Sequence, residues 1–387
     1  MTATRDQLVI AFVAFTGLKE DGSWPATANS MVRALEEAGH TVIRIKPSGP
    51  DNPLLWKAIQ GIYRIAGKRF QSERQELVIR QLAASVNEQL KGIEPDLLLS
   101  SSSLPLPFIE VKCPMAFWTD ATFTGMLGFY PEFSKLSKIT VRNGSFFETL
   151  ALERAELAIY SSDWAARSAI EDHGADPAKV HVIPFGPNIS RPPDRESVQR
   201  FIMDREREHC RLLFIGYDWE RKQGPLVVEV HHALRKLGIS SRLTVIGNEP
   251  DIADRTGITV LGMLDKKIRE HDELIRRELA RSHFLVVLSK AECFGMVYCE
   301  ASAYGIPSIA CDVGGVSSAV RHGTNGLLYP LGTSAGTIAA GIAALWNDRE
   351  VYQKAAINAR QFFEENLNWS AGVKRISGMI DKRKIPF

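Results

Sequence analysis

Short apolar runs of strand length recur along the chain and alternate with longer stretches of helical periodicity. In the first half these runs cover residues 8–15, 41–45, 96–100, 115–118, 157–161 and 180–183. After a polar stretch around 191–209, they resume at 211–216, 242–247, 259–261, 284–288 and 308–311. Strands that are apolar on both faces and alternate with amphipathic helices are typical of parallel sheets covered by helices. The pattern predicts an α/β protein with two doubly wound domains in series.

The boundary between these domains is predicted at Arg191-Pro-Pro-Asp-Arg195, because consecutive prolines exclude helix and favour extended chain. We expect an N-terminal domain over 1–190 and a C-terminal domain over 191–369. Helical periodicity continues over 351–362 and 369–382, so a last helix over 370–387 could cross back onto the first domain. Ligands of parallel α/β sheets bind beyond the carboxyl ends of the strands, which predicts a site in a cleft between two facing domains.

Composition narrows the class of protein. The chain has 387 residues, of which 45% are hydrophobic and 24% charged. These values are typical of globular proteins and disfavour disorder and coiled coil. A net charge of +2 does not indicate a nucleic-acid partner. The five cysteines are odd in number and lack CxxC spacing, as expected of reduced thiols. Without an apolar leader or a span of about 20 apolar residues, we expect a cytoplasmic protein, with contact at the inner face of a membrane left open.

The most informative motif runs from Glu292 to Glu300. It places two carboxylates eight positions apart around a Phe294-Gly295 turn that opens a short apolar helix. One carboxylate can therefore lie at the helix N-terminus while the other lies about two turns further along. The N–H groups and partial positive charge of a helix N-terminus bind phosphate. Sugar hydroxyls, ribose and phosphates are the three parts of a nucleoside diphosphate-sugar, which makes that ligand class the leading hypothesis.

Three glycine-containing strand ends accompany this motif. Gly216 is followed by the basic pair Arg221 and Lys222, which could neutralise a diphosphate or could belong to a solvated loop. Gly247 ends a strand where a base or ribose could approach the backbone, although it could equally be an ordinary turn. The Gly314-Gly315 pair permits a tight turn around an anion, or simply a tight turn.

In this order and spacing, the motifs between about residues 180 and 330 resemble the retaining nucleotide-sugar glycosyltransferases of group 1, family 4 type. Further segments that match the family are Val182-Ile-Pro-Phe-Gly186, Val260-Leu-Gly262 and Gly323-Thr-Asn-Gly-Leu-Leu328. The resemblance implies a GT-B fold, that is, two Rossmann-like domains facing across a cleft. It also implies transfer of a sugar from a UDP-sugar or GDP-sugar to an acceptor hydroxyl, with retention, in the synthesis of a glycan, glycolipid or glycoconjugate.

The resemblance also implies roles for individual residues. Lys222 and Arg221 would hold the diphosphate, Glu300 would bind the ribose, and Glu292 would contact the hydroxyls of the donor sugar. Further donor contacts would fall on Gly17, Gly216, Gly247, Met263, Phe294, Gly295, Met296, Val297, Gly314 and Gly315. Tyr217 stands where many members of the family have arginine, so Arg221 is expected to supply the missing cation.

The sequence is less informative about the N-terminal domain, which is expected to bind the acceptor. Asp120 follows a strand among aromatic residues, where it could orient a hydroxyl as a catalytic residue alongside Glu292 and Lys222, or could simply cap a helix. Residues 54–90 read as one long helical stretch with basic and aromatic side chains. That stretch could face an anionic membrane and a lipid-linked acceptor, or could be a solvated outer helix. The acceptor itself, whether a sugar, a lipid-linked sugar or a small molecule, is not identified.

We expect no cofactor and no metal, because the histidines show no metal-binding spacing and Lys222 with the helix termini can neutralise the diphosphate. The family pattern has no evident carboxylate for a double displacement, so front-face attack is the preferred mechanism. A nucleotide-sugar 2-epimerase and a non-catalytic nucleotide-binding subunit stay open as alternatives. The first strand leads into Phe15-Thr-Gly17 rather than GxGxxG, which disfavours a dinucleotide oxidoreductase.

Overall fold

A computed structural model of the protein describes residues 7–15, 24–50, 52–189 and 191–382. The chain divides into two compact units, one built from the described parts of 1–184 and 372–387 and the other from 185–371. Each unit contains one six-stranded sheet in which every pair of neighbouring strands is parallel. The α/β class with two doubly wound sheets is thereby confirmed.

The sheet of the first unit has the strand order β2-β1-β3-β4-β5-β6. Its strands are β1 (Val9–Val13), β2 (Thr41–Ile45), β3 (Leu97–Ser100), β4 (Met115–Thr119), β5 (Leu157–Tyr160) and β6 (Val180–Val182). The helices are α1 (Trp24–Glu37), α2 (Pro53–Ile65), α3 (Glu76–Gln89), α4 (Phe123–Met126), α5 (Lys138–Arg154) and α6 (Asp163–Glu171). Every residue of β3, β4 and β5 is buried, as expected for strands covered on both faces.

The sheet of the second unit has the order β12-β11-β10-β7-β8-β9. Its strands are β7 (Cys210–Ile215), β8 (Ser241–Ile246), β9 (Ile258–Val260), β10 (Phe284–Val287), β11 (Ser308–Cys311) and β12 (Gly326–Tyr329). The helices are α7 (Arg195–Asp204), α8 (Gly224–Lys236), α9 (Arg269–Arg281), α10 (Met296–Ala303), α11 (Val316–Ala319), α12 (Ala335–Asn347) and α13 (Arg349–Asn366). The last helix, α14 (Trp369–Lys382), begins among residues of the second unit and continues into those of the first.

Both sheets reverse their strand order at one point. The reversal lies between β1 and β3 in the first sheet and between β7 and β10 in the second. At such a switch point the loops from two adjacent strands run in opposite directions and leave a crevice at the carboxyl ends, where ligands of α/β proteins bind. In the second unit the loops that leave this point are the two that carry the strongest sequence motifs, 216–223 and 288–295.

The structure corrects one prediction about helices. Residues 54–90 form two helices, α2 and α3, instead of one. Gly67 adopts a left-handed φ of 67°, which ends the first helix, and Arg69 then pairs with Leu136 in an isolated bridge. A short 3-10 turn, Ser72–Arg74, leads into α3. The described helices contain no stretch with the length and apolar character that a bilayer span needs.

Candidate functional site

The site is built around the start of α10. Gly295 lies immediately before the helix with a φ of 86°, a conformation that favours glycine. A Cβ added at this position would lie 2.5 Å from the ring of Tyr298, so no larger residue fits without a shift. The helix therefore has no side-chain N-cap. A helix N-terminus of this kind carries partial positive charge that can interact with an anion.

Glu292 stands just before this turn and is the centre of an ion cluster. Its Oε2 accepts hydrogen bonds from Lys222 Nζ at 3.2 Å, from Arg221 at 3.3 Å and from the hydroxyl of Ser289 at 3.2 Å. The Arg221 guanidinium also pairs with Asp218 at 3.4 Å. The side chains of Glu292 and Lys222 are only 13% and 12% exposed. The structure thus brings together three charged residues that the sequence motifs placed on two different loops.

The charge state of Glu292 follows from this cluster. Burial alone would raise the pKa of the Glu292 carboxyl, but the positive charges of Lys222 and Arg221 outweigh burial and hold that pKa below its ordinary value. The carboxylate is therefore ionised at neutral pH. It can accept hydrogen bonds from hydroxyl groups while the neighbouring cations remain available to an anion.

The glycines that follow β7 and β8 stand where the structure leaves no space for a side chain. A Cβ on Gly216 would lie 2.2 Å from Lys222 Cδ, so the lysine side chain occupies the space that a side chain at 216 would need. Gly247, with a φ of 91°, lies against the backbone of Gly216, where its Cβ would be 2.9 Å from the carbonyl oxygen. Gly247 N–H in turn donates to the carbonyl of Gly262 at 2.8 Å. The ends of β7, β8 and β9 therefore approach backbone to backbone.

Glu300 lies on α10 and is almost completely buried, with 4% exposure. Its Oε1 accepts a hydrogen bond from Lys266 Nζ at 2.5 Å, and Lys266 also donates to the carbonyl of Asn188 at 3.2 Å. Sequence reasoning missed Lys266. The only sequence signal for it was the basic pair Lys266-Lys267, which follows Gly262-Met263 after two intervening residues.

The remaining predicted donor contacts lie on three segments. The backbone of Gly315 donates to the carbonyl of Glu292 at 3.1 Å, which brings the Gly314-Gly315 turn against the ion cluster. The side chain of Phe294 is 1% exposed and packs against Phe185 with ring centroids 5.6 Å apart, so only its backbone could meet a ligand. Met263 is 60% exposed. Met296 and Val297 form the first turn of α10 and are half-buried.

Two predicted residues belong to the first unit. Gly17 lies outside the described residues. Asp120 directly follows β4 and is half-buried. The alternative reading of Asp120 as a helix cap is wrong, because Thr122 is the N-cap of α4 and its Oγ1 accepts from Gly125 N–H at 3.0 Å. Threonine one residue before the helix has the hydroxyl position that a cap requires.

Across the described ranges of the chain, no three or more His, Cys, Asp and Glu side chains are arranged to hold a metal ion. The five cysteines all lie in these ranges, and none forms a disulfide.

Comparison with known proteins assigns the family. The model described as Glycosyltransferase Family 4 matches residues 26–191, and the model described as Glycosyl transferases group 1 matches residues 209–348. The D-inositol 3-phosphate glycosyltransferase of Kribbella flavida is 28% identical over 246 residues, which are 56% of this chain and 55% of that protein. The chain thus spans about half the length of the curated relatives it matches. For the protein of the same name from Geodermatophilus obscurus, the match covers 49% of that protein's length.

Solved structures with a similar fold align with almost the whole chain. Sucrose-phosphate synthase from Thermosynechococcus elongatus has a TM-score of 0.66 at 18% identity, with coverage of 97% of this chain and 98% of that one. HepE of Anabaena, solved in complex with UDP-glucose, has a TM-score of 0.59 at 16% identity, with coverage of 97% and 100%. At these identities the likeness bears on the fold alone. The chain belongs to the glycosyltransferases of the group 1, family 4 type, and its two parallel sheets are those of the GT-B fold.

Proposed function

We propose that this protein transfers a sugar from a nucleoside diphosphate-sugar, with UDP or GDP as the nucleotide, to an acceptor hydroxyl with retention of anomeric configuration. The observation that carries the proposal is the cluster of Lys222, Arg221 and Glu292 at the N-terminal end of α10. It combines two cations and a helix N-terminus for phosphates with an ionised carboxylate for hydroxyls. Membership of the glycosyltransferase family supports the same ligand class.

Each part of the donor has a candidate partner in the second unit. Lys222, Arg221 and the first turn of α10 hold the diphosphate, and Glu292 accepts hydrogen bonds from the donor sugar. Glu300 accepts hydrogen bonds from the ribose through the carboxylate that Lys266 fixes. The ion pairs preorganise the site, because they hold the charged groups in place before the donor binds.

The proposed chemistry is a front-face substitution. The bond between the anomeric carbon and the diphosphate oxygen breaks, and the acceptor oxygen bonds to the same face of the oxocarbenium-like sugar. The acceptor proton goes to the departing diphosphate oxygen. Lys222 and Arg221 stabilise the negative charge that develops on this leaving group, which is the main catalytic contribution of the protein.

A ligand screen tests the proposal first. The full chain is heated with UDP-, GDP- and ADP-sugars, and we expect one nucleotide class to raise the melting temperature by mass action. The product formed with an accepted hydroxyl compound is then examined by NMR, which distinguishes retention from inversion at the anomeric carbon. The absence of a shift with every nucleotide-sugar would contradict the proposal. A changed nucleotide-sugar formed without any acceptor would instead identify an epimerase.

Two substitutions separate the proposed roles. Lys222→Ala should lower kcat by about 100-fold or more, because a preorganised cation at the leaving group is lost. Glu292→Gln should lower turnover while nucleotide affinity stays within about threefold, since the amide keeps the shape but not the charge. Lys236→Ala, at the exposed end of α8, is the matched control and should change neither. Unchanged turnover in both site variants would refute these roles.

A further inference from the structure

The first unit contains an open cavity of about 1370 Å³ that the donor site does not use. Its lining includes Ala14 and Phe15, which follow β1, and Lys46 and Pro47, which follow β2. It therefore lies at the carboxyl edge of the first sheet, next to the switch point between β1 and β3. Cavities at this edge are where α/β domains bind small molecules.

One face of α2 forms a wall of this cavity. Pro53, Trp56, Lys57, Gln60 and Arg64 all line it, at spacings of three and four residues. Positions with this spacing lie on the same side of a helix. No residue of α2 is buried, so the helix contributes little to the hydrophobic core. On the cavity face, Trp56 is half-buried against the core cluster that includes Phe15 and Val78, whereas Lys57 and Arg64 are exposed.

The lining is strongly basic. Its cationic residues are Lys46, Lys57, Arg64, Lys68 and Arg69. Among the lining residues that the structure describes, the carboxylates are Glu73 and Glu132. Apart from Lys46, none of these cations forms an ion pair with any residue that the structure describes. Like charges gathered around a concave surface raise the local potential and attract an anion.

Aromatic rings complete the site. Phe70 stacks on Tyr63 with centroids 4.9 Å apart and on Trp56 with centroids 6.2 Å apart, and both Trp56 and Phe70 line the cavity. Rings held in this way offer a flat apolar surface beside the cations. The combination suits a ligand with a ring or other apolar part next to a negatively charged group.

We propose that this cavity binds the acceptor through a phosphate ester, with the guanidinium and ammonium groups on the phosphate and the aromatic rings on the adjoining part. The inference rests on the proposed function, because it assigns the acceptor to this unit. The phosphate could belong to a soluble phosphorylated compound or to a lipid headgroup, and in both cases Lys57 and Arg64 provide the recognition.

Phenyl phosphate, which combines a ring with a phosphate ester, serves as the probe for titration calorimetry on the full chain. The double variant Lys57→Gln/Arg64→Gln should raise its Kd at least about tenfold, because two charge-assisted contacts are lost. The control variant, Lys112→Gln/Arg167→Gln, removes the same charge from exposed positions of this unit outside the cavity. Its Kd for phenyl phosphate should stay within about twofold of the wild-type value. The charged residues in both pairs are exposed, so the fold should survive in each.

A third variant tests occupancy of the cavity rather than charge. Gly61 lines the cavity, and a Cβ there would meet nothing within 4 Å. Gly61→Phe should therefore enter the cavity and weaken phenyl phosphate binding at least about tenfold without any change in charge. Equal binding by the wild type, the double variant and Gly61→Phe would overturn the proposal, as would no binding by the wild type.

Vesicles distinguish the two sources of phosphate. Co-sedimentation of the wild type with phosphatidylglycerol but not phosphatidylcholine vesicles, lost in Lys57→Gln/Arg64→Gln, would support the cavity and assign it to a headgroup. Phenyl phosphate binding without vesicle binding would support a soluble acceptor. Nucleotide-sugar binding is measured on the same variants and should not change. Its absence in the wild type would defeat the proposed function while leaving the phosphate result to stand or fall separately.

Discussion

At the residue scale, the buried carboxylate of Glu300 depends on a lysine that the motifs do not single out. We predict that Lys266→Met weakens binding of the preferred nucleoside diphosphate about tenfold, because Glu300 loses the hydrogen bond and countercharge that fix it. Lys267→Met is the control, since Lys267 is exposed and adjacent. Titration calorimetry measures the nucleoside diphosphate affinity of both variants. Tighter binding by Lys266→Met would show instead that the lysine competes with the ribose.

Gly216 is predicted to matter for the position of Lys222 rather than for stability. The methyl group of Gly216→Ala would overlap the flexible end of Lys222, which can move aside at little cost to the fold. The displaced ammonium should lower kcat/KM about 100-fold. Gly336→Ala, in α12 with its nearest neighbour 3.9 Å away, should leave the kinetics unchanged. Equal kinetics for the two variants would contradict this role.

The side-chain contacts were only partly accessible from the sequence. Glu292, Lys222 and Arg221 could be connected because each follows a buried strand, and parallel strands present their carboxyl ends at one edge. The contact between Lys266 and Glu300 joins positions 34 apart and is set by how the loop after β9 folds over α10. No local pattern indicates such a contact.

At the scale of elements, two buried arginines satisfy the C-terminal end of α10. Arg205 donates to the carbonyls of Tyr304 and Gly305, each at 2.7 Å, and Arg360 donates to the carbonyl of Ala303 at 2.6 Å. Cations at this end complement the helix dipole. The opposite end of α10 is the one with no side-chain cap, beside the ion cluster.

We predict that Arg205→Met lowers the free energy of unfolding by about 3 kcal/mol, because several buried carbonyls lose their donor. Arg200→Met, an exposed arginine on α7 that pairs with Glu196, should change it by less than about 0.5 kcal/mol. Urea denaturation followed by circular dichroism measures the difference. Similar values for the two variants would mean that the carbonyls find other partners.

Element type was predictable wherever strands are buried throughout, as in β3 to β5 and β10. The sequence pattern did not reveal β12, which has only four residues, three of them partly exposed. The break between α2 and α3 depends on one left-handed glycine, Gly67, and on a bridge to Leu136 that is remote in sequence. Periodicity cannot detect either feature, because both helices continue with similar polar character.

At the scale of the whole molecule, stability should depend on pH through His283. This side chain is fully buried, its Nδ1 accepts from Arg211 N–H at 3.0 Å, and its ring lies 4.7 Å from that of Trp346. Burial, reinforced by Arg205, lowers the pKa of His283 to about 3. In the unfolded chain His283 takes up a proton near pH 6.5, whereas in the folded chain it stays neutral until about pH 3. The free energy of unfolding therefore falls as the pH drops between these values.

For His283 alone, the loss between pH 7.5 and pH 5 is about 2 kcal/mol in the free energy of unfolding. His283→Asn keeps an acceptor for Arg211 N–H but does not titrate, so its stability should change about 2 kcal/mol less over the same pH range. Urea melts at the two pH values provide the comparison. The same pH dependence in variant and wild type would show that His283 is not the group responsible.

The location of the diphosphate is tested most directly by calorimetric titration of UDP and GDP into the wild type, Lys222→Ala and Lys236→Ala. We predict that the nucleotide binds the wild type and Lys236→Ala equally well and binds Lys222→Ala at least about tenfold more weakly. Equal affinity for all three proteins would contradict a diphosphate bound beside Glu292 at the start of α10.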